Sequence, residues 1–256
     1  MLETDASAIP VPGSAHPPWS PSRWLGVPIT RALMAKLAGA FTFRFLCIAA
    51  MYWLAVWAEA RHAPTLPDTL LSHIPYVGWV DRWNYVAWTL AYAPVALLLF
   101  ARDVHRFCRY MVASGLVAFA RGLCIAATGL GPVRGGPELH VGLNDQEQLS
   151  AWAQLATPFG SFLHDPTKPF YLSKDLFFSG HTASTFMLLL YVWRFPRLRV
   201  WMAFAHLVVV ASVFLSHLHY TIDVIGAYAV TFSLYVLMEG NIRQILGGHA
   251  GAPAMK

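Results

Sequence analysis

Charge is what this sequence has least of. Only 12% of its 256 residues are Asp, Glu, Lys or Arg, 57% are hydrophobic, and the mean hydropathy is +0.48. That is too little charge to clothe a soluble globule, so the chain reads as an integral membrane protein. Cysteine is also scarce. Cys47, Cys108 and Cys124 lie in or beside apolar runs with no metal-ligand spacing, which excludes a disulfide framework or a zinc site and leaves packing as their role. There is no P-loop, dinucleotide fingerprint, Cys-x-x-Cys pair or significant internal repeat, so nucleotide and zinc chemistry have no footing, and neither a metal nor a cofactor is expected. The net charge of +5 would suggest nucleic acid in a soluble chain. Here the basic residues cluster in short loops between apolar runs, where they report orientation, and no nucleic-acid partner is expected.

Six apolar runs are present, near 38–60, 83–101, 108–131, 177–194, 200–217 and 220–239, each close to the roughly 20 residues that cross a bilayer. The expected fold is therefore all-α: a six-transmembrane-helix bundle forming one catalytic domain over 37–240. Residues 1–36 hold Pro10, Pro12, Pro17, Pro18 and Pro21 and predict a flexible tail, and 241–256 a second tail. The first long apolar run can span and reads as an anchor, not a cleaved signal. With the N-terminus inside, Arg23, Arg31, Lys36, Arg102, Arg106, Arg109, Arg194, Arg197, Arg199, Arg243 and Lys256 face the cytoplasm. The other side holds Arg61, Arg82, Arg134, Lys168 and Lys174, which predicts both termini cytoplasmic. Trp53, Trp57, Trp79, Trp83, Tyr85, Tyr191, Trp193 and Trp201 recur near segment ends as an interfacial belt.

Two polar clusters interrupt this pattern. Asp175-Leu-Phe-Phe-Ser179-Gly180-His181-Thr182 opens the fourth run, and His217-Leu-His219-Tyr220-Thr221-Ile-Asp223 joins the fifth to the sixth. A helical hairpin between them returns the chain to the side it left, so His181, His219 and Asp223 converge at one membrane surface. Asp223, one helical turn from His219, orients that imidazole for work as a nucleophile, the second histidine supplies an acid, and the small Ser179-Gly180 step lets backbone N–H groups approach an anion. The outer loop 132–176 is too long for a plain connector. Within it, Gln146–Ala156 predicts a short amphipathic helix over the site. Asp145, Glu147, Asp165 and Asp175 suit a cationic head group or simply solvent, and His140 and His164 are assigned to solvent. Arg121 reads as the one basic residue deep in an apolar run. It needs a partner such as Asp103 or another carboxylate near a helix end, as a phosphate clamp or, preferred, a structural ion pair beneath the site.

Ser179-Gly180-His181-Thr182 and His219-Tyr220-Thr221-Ile222-Asp223-Val224, with Tyr228 four positions on, resemble the two signature motifs of the sphingomyelin synthase family within the phosphatidic acid phosphatase type 2 superfamily. Asp175 falls on the Asp of the family's C-G-D-x-x-x-S-G-H-T, with Ser173 and Lys174 in place of Cys-Gly. Leu66-Pro67-Asp68 is similar to a P-L-P-D element, and Arg121, Thr128, Leu130 and Pro132 follow a further family stretch. The resemblance covers roughly 65–235. It implies a lipid phosphotransferase that carries a phosphocholine or phosphoethanolamine head group from a phospholipid donor to a lipid alcohol, ceramide or diacylglycerol, through a phosphohistidine on His219. His181 would serve as acid and then base, with Asp175, Ser179, Gly180, Thr182, Tyr220, Tyr228 and Arg121 around the substrate. The active site would face the periplasm or lumen. A phosphatase or phospholipase C-like hydrolase with water as acceptor is the alternative, although no Lys-x6-Arg-Pro occurs and Val213 stands where the wider superfamily has Arg. A third reading is non-enzymatic, with His181, His217 and His219 binding haem or lining a transport path. His217 and His219, two apart, cannot share one helical face.

Overall fold

The apolar runs become helices in the computed structural model, which describes residues 23–24, 27–28, 30–133, 138–157 and 170–240. They are α1 (Arg31–Glu59), α2 (Gly78–Arg102), α3 (Val104–Ala127), α4 (Asp145–Ala156), α5 (Gly180–Val192), α6 (Pro196–Leu215) and α7 (Thr221–Glu239), with a 3-10 turn at Leu71–His73. Arg23–Trp24 and Val27–Pro28 pair as a two-residue antiparallel ribbon ahead of them. Side chains mark the starts: Thr30 accepts from Leu33 N–H, Asp103 from Arg106 N–H, Asn144 and Glu147 close a capping box, and Pro196 opens α6. Residues 31–36, assigned above to the tail, belong to α1. The expected C-terminal tail 241–256, and Asp165, His164 and Lys168 of the outer loop, lie outside the described residues.

Five of these helices, α1, α2, α3, α6 and α7, are long and apolar enough to cross a membrane, and the chain is an integral membrane protein. The fourth expected span differs. It was placed at 177–194, but α5 has only 13 residues, about 20 Å at 1.5 Å per residue. Phe177 and Phe178 look like its first turn in a hydropathy profile, yet they belong to an irregular arch whose polar groups are taken by other segments, as described below.

Consecutive long helices alternate in direction. At one end, Val77 N–H donates to Leu215 O (2.8 Å), Gly131 N–H to Pro64 O (2.8 Å) and Ser179 N–H to Asp223 O (3.0 Å), so the ends of α1, α3 and α6 meet the starts of α2, α5 and α7. At the other end Arg194 pairs with Asp103, Arg106 Nε donates to Tyr191 O (2.6 Å) and Arg109 Nε to Glu239 Oε1 (2.9 Å). Asp103, offered above as a partner for Arg121, is thus taken by Arg194. Between the ends sits a core including Leu99, Tyr110, Phe178, Met187, Leu188, Tyr191 and Met202. Tyr191 is fully buried, with its hydroxyl on Glu239 Oε1 (2.8 Å), and is not part of the interfacial belt.

In lipid, helices associate by close packing, and small residues permit it. A Cβ on Gly115 would stand 3.1 Å from Arg44 Cα, and one on Gly122 2.8 Å from Met51 Cα, so α3 reaches α1 only because both are glycine. Two expectations change here. Arg121 is not the one basic residue within the spans: Arg44 of α1 is also enclosed, with one amino group on Ser114 Oγ and the other on Tyr92 Oη (3.1 Å), and Tyr92 and Tyr110 hydroxyls bonded to each other. Helix α4 forms as expected but does not cover the site. It lies along α1, with Trp152 Nε1 donating to Ala49 O (2.8 Å) and Trp152 edge-on to Trp53. Cys47, Cys108 and Cys124 are all free thiols.

Candidate active site

The site is built on the arch from Ser173 to Ser179. Glu59, the last residue of α1, is fully buried and receives Ser173 N–H (2.9 Å), Ser173 Oγ–H and Lys174 N–H (2.8 Å). The Lys174 ammonium turns back onto the carbonyls of Glu59 (3.0 Å) and Arg61, a cation on the negative end of the α1 dipole. Ser173 and Lys174 thereby pin the arch to α1. Arg121 rises from α3 beneath it. Its Nε donates to Phe178 O (2.7 Å) and its Nη2 to the Asp175 backbone carbonyl and to Asp175 Oδ2 (3.0 Å). Phe177 fits over Gly226 of α7, where a Cβ would meet its ring at 2.6 Å.

Helix α5 starts from that arch. Ser179, fully buried, caps it by accepting from Thr182 N–H (3.4 Å) and Thr182 Oγ1–H (3.1 Å), so both residues of this small motif are spent on the helix start. Gly180 sits directly against Arg121, whose Nε would be 3.1 Å from a Cβ there. His181 follows on the first turn. The ring of Trp88, from α2, meets it edge-on at 5.6 Å, and Trp88 Nε1 donates to Ser184 Oγ (2.9 Å), which in turn donates to His181 O (3.1 Å).

The second motif is locked to the first through backbone, by Ser179 N–H on Asp223 O. Asp223 is fully buried at the start of α7; its Oδ2 accepts Tyr220 N–H (2.9 Å) and faces His219 Nδ1 at 3.4 Å. One carboxylate therefore caps the helix and aims the imidazole. Asp68, of the Leu66-Pro67-Asp68 element, holds the same helix start: it accepts Thr221 N–H, Thr221 Oγ1–H (2.9 Å) and Leu71 N–H (3.0 Å). Burial alone raises the Asp68 carboxyl, but the hydrogen bonds from Leu71 and Thr221 outweigh it and hold the group below its ordinary value. Tyr220 is buried, its hydroxyl donating to Gly131 O (3.1 Å) and accepting Leu66 N–H (3.0 Å). Tyr228 lies deeper, its hydroxyl on His206 Nε2 (2.7 Å). His217 stands apart, with Nε2 on Ile74 O (2.9 Å) and its ring against Tyr76.

Ser179 N–H on Asp223 O, the contact of Gly180 with Arg121 and the His219–Asp223 pair bring His181, His219, Asp223, Gly180 and Arg121 to one place. The arrangement directs the side chains of Ser179, Thr182, Tyr220 and Tyr228 into supporting bonds. Among the described residues three buried polar atoms in this cluster, His181 Nε2, His219 Nδ1 and Asp223 Oδ1, have no hydrogen-bond partner, His219 Nδ1 having only the longer ion-pair contact with Asp223 Oδ2 (3.4 Å). Such atoms are costly unless something supplies a partner, and they gather where the N-termini of α5 and α7 abut, two positive dipole ends that favour an anion. His140, assigned above to solvent, is half-buried against Phe170 at 4.4 Å.

Sequence reasoning passed over Glu59, Trp88 and His206. Glu59 and His206 carried a signal, an ionisable residue at the end of or within an apolar run. Trp88 carried none, because a lone tryptophan in a span is indistinguishable from packing.

Residues 174–240 match the family model described as PAP2 superfamily C-terminal. The matched stretch runs from the arch to the end of α7 and contains both histidine motifs, supporting a relationship to a superfamily of phosphatases and phosphotransferases and an enzyme of lipid phosphatase or phosphotransferase type. No curated protein matches the chain.

Proposed function

We propose that this protein is a lipid phosphotransferase that moves a phosphocholine or phosphoethanolamine head group from a glycerophospholipid to ceramide or a similar lipid alcohol, on the periplasmic or lumenal face of its membrane. The observation that carries the reading is the convergence, at two abutting helix N-termini, of His181, whose buried Nε2 has no hydrogen-bond partner among the described residues, with the His219–Asp223 pair. His219 Nε2 attacks phosphorus; an N–P bond forms as the P–O bond to diacylglycerol breaks, and the proton on His181 Nε2 passes to the departing oxygen. Asp223 stabilises the imidazolium that develops on His219. The free N–H groups of the first turn of α5, at Gly180 and His181, receive the non-bridging oxygens. In the second half His181 takes the proton of the incoming hydroxyl, whose oxygen displaces His219.

A diester rather than a monoester substrate is favoured by how Arg121 is used. Its Nε and Nη2 donors are committed to Phe178 O and Asp175, and Nη1 lies on Met51 Sδ (3.6 Å), so the site offers less of the guanidinium than a doubly charged phosphate calls for, while two helix termini suit a single negative charge. Purified protein is incubated with head-group-labelled phosphatidylcholine or phosphatidylethanolamine, with and without ceramide. Label is expected in a ceramide product. Release of water-soluble head group irrespective of ceramide would establish hydrolysis instead, and phosphate released from phosphatidic acid would establish a phosphatase.

A further inference from the structure

One buried histidine takes no part in the reaction above. His206, in the middle of α6, is 4% exposed, and both its ring nitrogens are bonded: Nδ1 to Thr185 Oγ1 (2.8 Å) and Nε2 to Tyr228 Oη (2.7 Å). Thr185 Oγ1 is also 2.8 Å from the carbonyl oxygen of His181. The ring of Phe186 closes the cluster against both His206 and Tyr228.

Donors and acceptors settle the direction of this chain. The Thr185 hydroxyl has one proton, and the His181 carbonyl can only accept, so the hydroxyl donates upward and accepts from His206 Nδ1–H. Nε2 is then an acceptor, and Tyr228 Oη–H fills it. The run Tyr228 to His206 to Thr185 to His181 O is satisfied at each link by a neutral imidazole, and it ends on a backbone carbonyl. A chain that ends on an amide oxygen has no route to the His181 ring, so it cannot deliver protons for the reaction. What it can do is hold geometry. Thr185 lies on α5 about 6 Å below His181, and Tyr228 on α7 about 7.5 Å below Asp223, at 1.5 Å per residue. His206 therefore bridges α5, whose first turn carries His181, and α7, whose start His219 immediately precedes.

We propose that His206 is a positioning residue: by spanning from Thr185 to Tyr228 it fixes the separation of α5 and α7, and with it the distance between His181 and His219. The inference rests on the phosphotransfer reading of those two histidines. In-line transfer between a nucleophile and an acid tolerates little misplacement, and 1 Å can cost on the order of a hundredfold.

The test compares His206→Leu, which loses both bonds, with His206→Asn, which keeps a donor toward Thr185, His206→Gln, which keeps a group toward Tyr228, and Tyr228→Phe, which removes one oxygen. Activity is expressed per monodisperse folded protein. Expected is a fall in kcat of at least tenfold for His206→Leu with KM within twofold, and intermediate values for the other three. A role in packing alone predicts a lower unfolding temperature with kcat per folded molecule within twofold of wild type, and that result overturns the proposal. Should His206→Leu not fold, the same comparison is made with Tyr228→Phe. Absence of head-group transfer by the wild-type protein would refute the function itself; the positioning role is then read from the ring-nitrogen NMR shifts of His181 and His219, which move in these variants if it is correct and stay put if it is wrong.

Discussion

Arg121→Met offers the sharpest check on how the site is assembled. The side chain is 8% exposed and Asp175 26% exposed. Methionine fills much of the volume beside Met51 but removes every donor, leaving the Asp175 carboxylate and the carbonyls of Asp175 and Phe178 without the guanidinium. Removing one partner of a buried ion pair costs about 3–5 kcal/mol, and because Asp175 retains some access to water the lower end applies, about 3 kcal/mol. At roughly 2–4 °C per kcal/mol for a chain of this size, the midpoint should fall by about 6–12 °C. Asp175→Asn added to Arg121→Met should recover part of that loss, since it removes the uncompensated charge; couplings of about 0.5–3 kcal/mol are usual for residues in one network. The assay is thermal unfolding of detergent-purified protein followed by gel filtration, beside turnover per folded molecule. Turnover per folded molecule should survive better than folded yield. Unchanged yield and midpoint together with abolished turnover would refute the reasoning and make Arg121 a ligand of the phosphate.

Three further outcomes are expected. Head-group-labelled lipid should leave acid-labile, base-stable label on the protein, lost in His219→Ala and equally in Asp223→Asn. His181→Ala should label slowly but regain rate on a nitrophenyl phosphodiester, whose leaving group needs no proton; rescue of His219→Ala instead would reverse the two roles. Reporter tags fused ahead of residue 1 and after Lys256 should be cytoplasmic and one at Gly135, outside the described residues, external; a cytoplasmic Gly135 tag would put the site on the wrong face. Because the folded Asp68 carboxyl is held below its ordinary value, its contribution to stability is complete above about pH 4 and is lost as pH falls through the folded value. The gap in unfolding temperature between wild type and Asp68→Asn should be flat from pH 7 to 5 and shrink on further acidification; a gap that widens in acid would contradict the docking role.

Membrane class, the helix pattern and the two histidine motifs were legible because each is a local signal: hydropathy over a span, or residues within one turn. Helix α4, expected at Gln146–Ala156 as an amphipathic segment, is found at Asp145–Ala156, its start fixed by the Asn144–Glu147 capping box. The arch was not legible. Phe177 and Phe178 continue an apolar run, and what keeps them out of α5 is a set of bonds from Glu59, Arg121 and Asp223, residues distant in sequence that leave no periodic trace. Arg44 carried the same signal as Arg121, an ionisable residue within an apolar run, and only its partners Ser114 and Tyr92, on two other helices, were beyond the reach of local pattern. Tyr220 and Tyr228, read from motif position as facing substrate, turn instead to Gly131, Leu66 and His206, and only the folded chain says which way a tyrosine within a motif points.

The pinning of the arch makes the covalent connection upstream of it dispensable for geometry. The bonds that place the arch and His181 reach across from α1, α2, α3, α6 and α7, and even Phe170 is held from the far side, by Gln154 Oε1 on its N–H (3.0 Å). Residues up to 157 contribute Glu59, Asp68, Trp88 and Arg121; residues from 170 contribute the arch, both histidines and Asp223. The enzyme is in this sense two complementary pieces that recognise each other through a mostly polar seam at the end that carries the site and an apolar one below it. Co-expressed as separate polypeptides divided between 158 and 169, the pieces should assemble in the membrane into an active protein, and the seam can then be studied as a binding reaction with an affinity of its own.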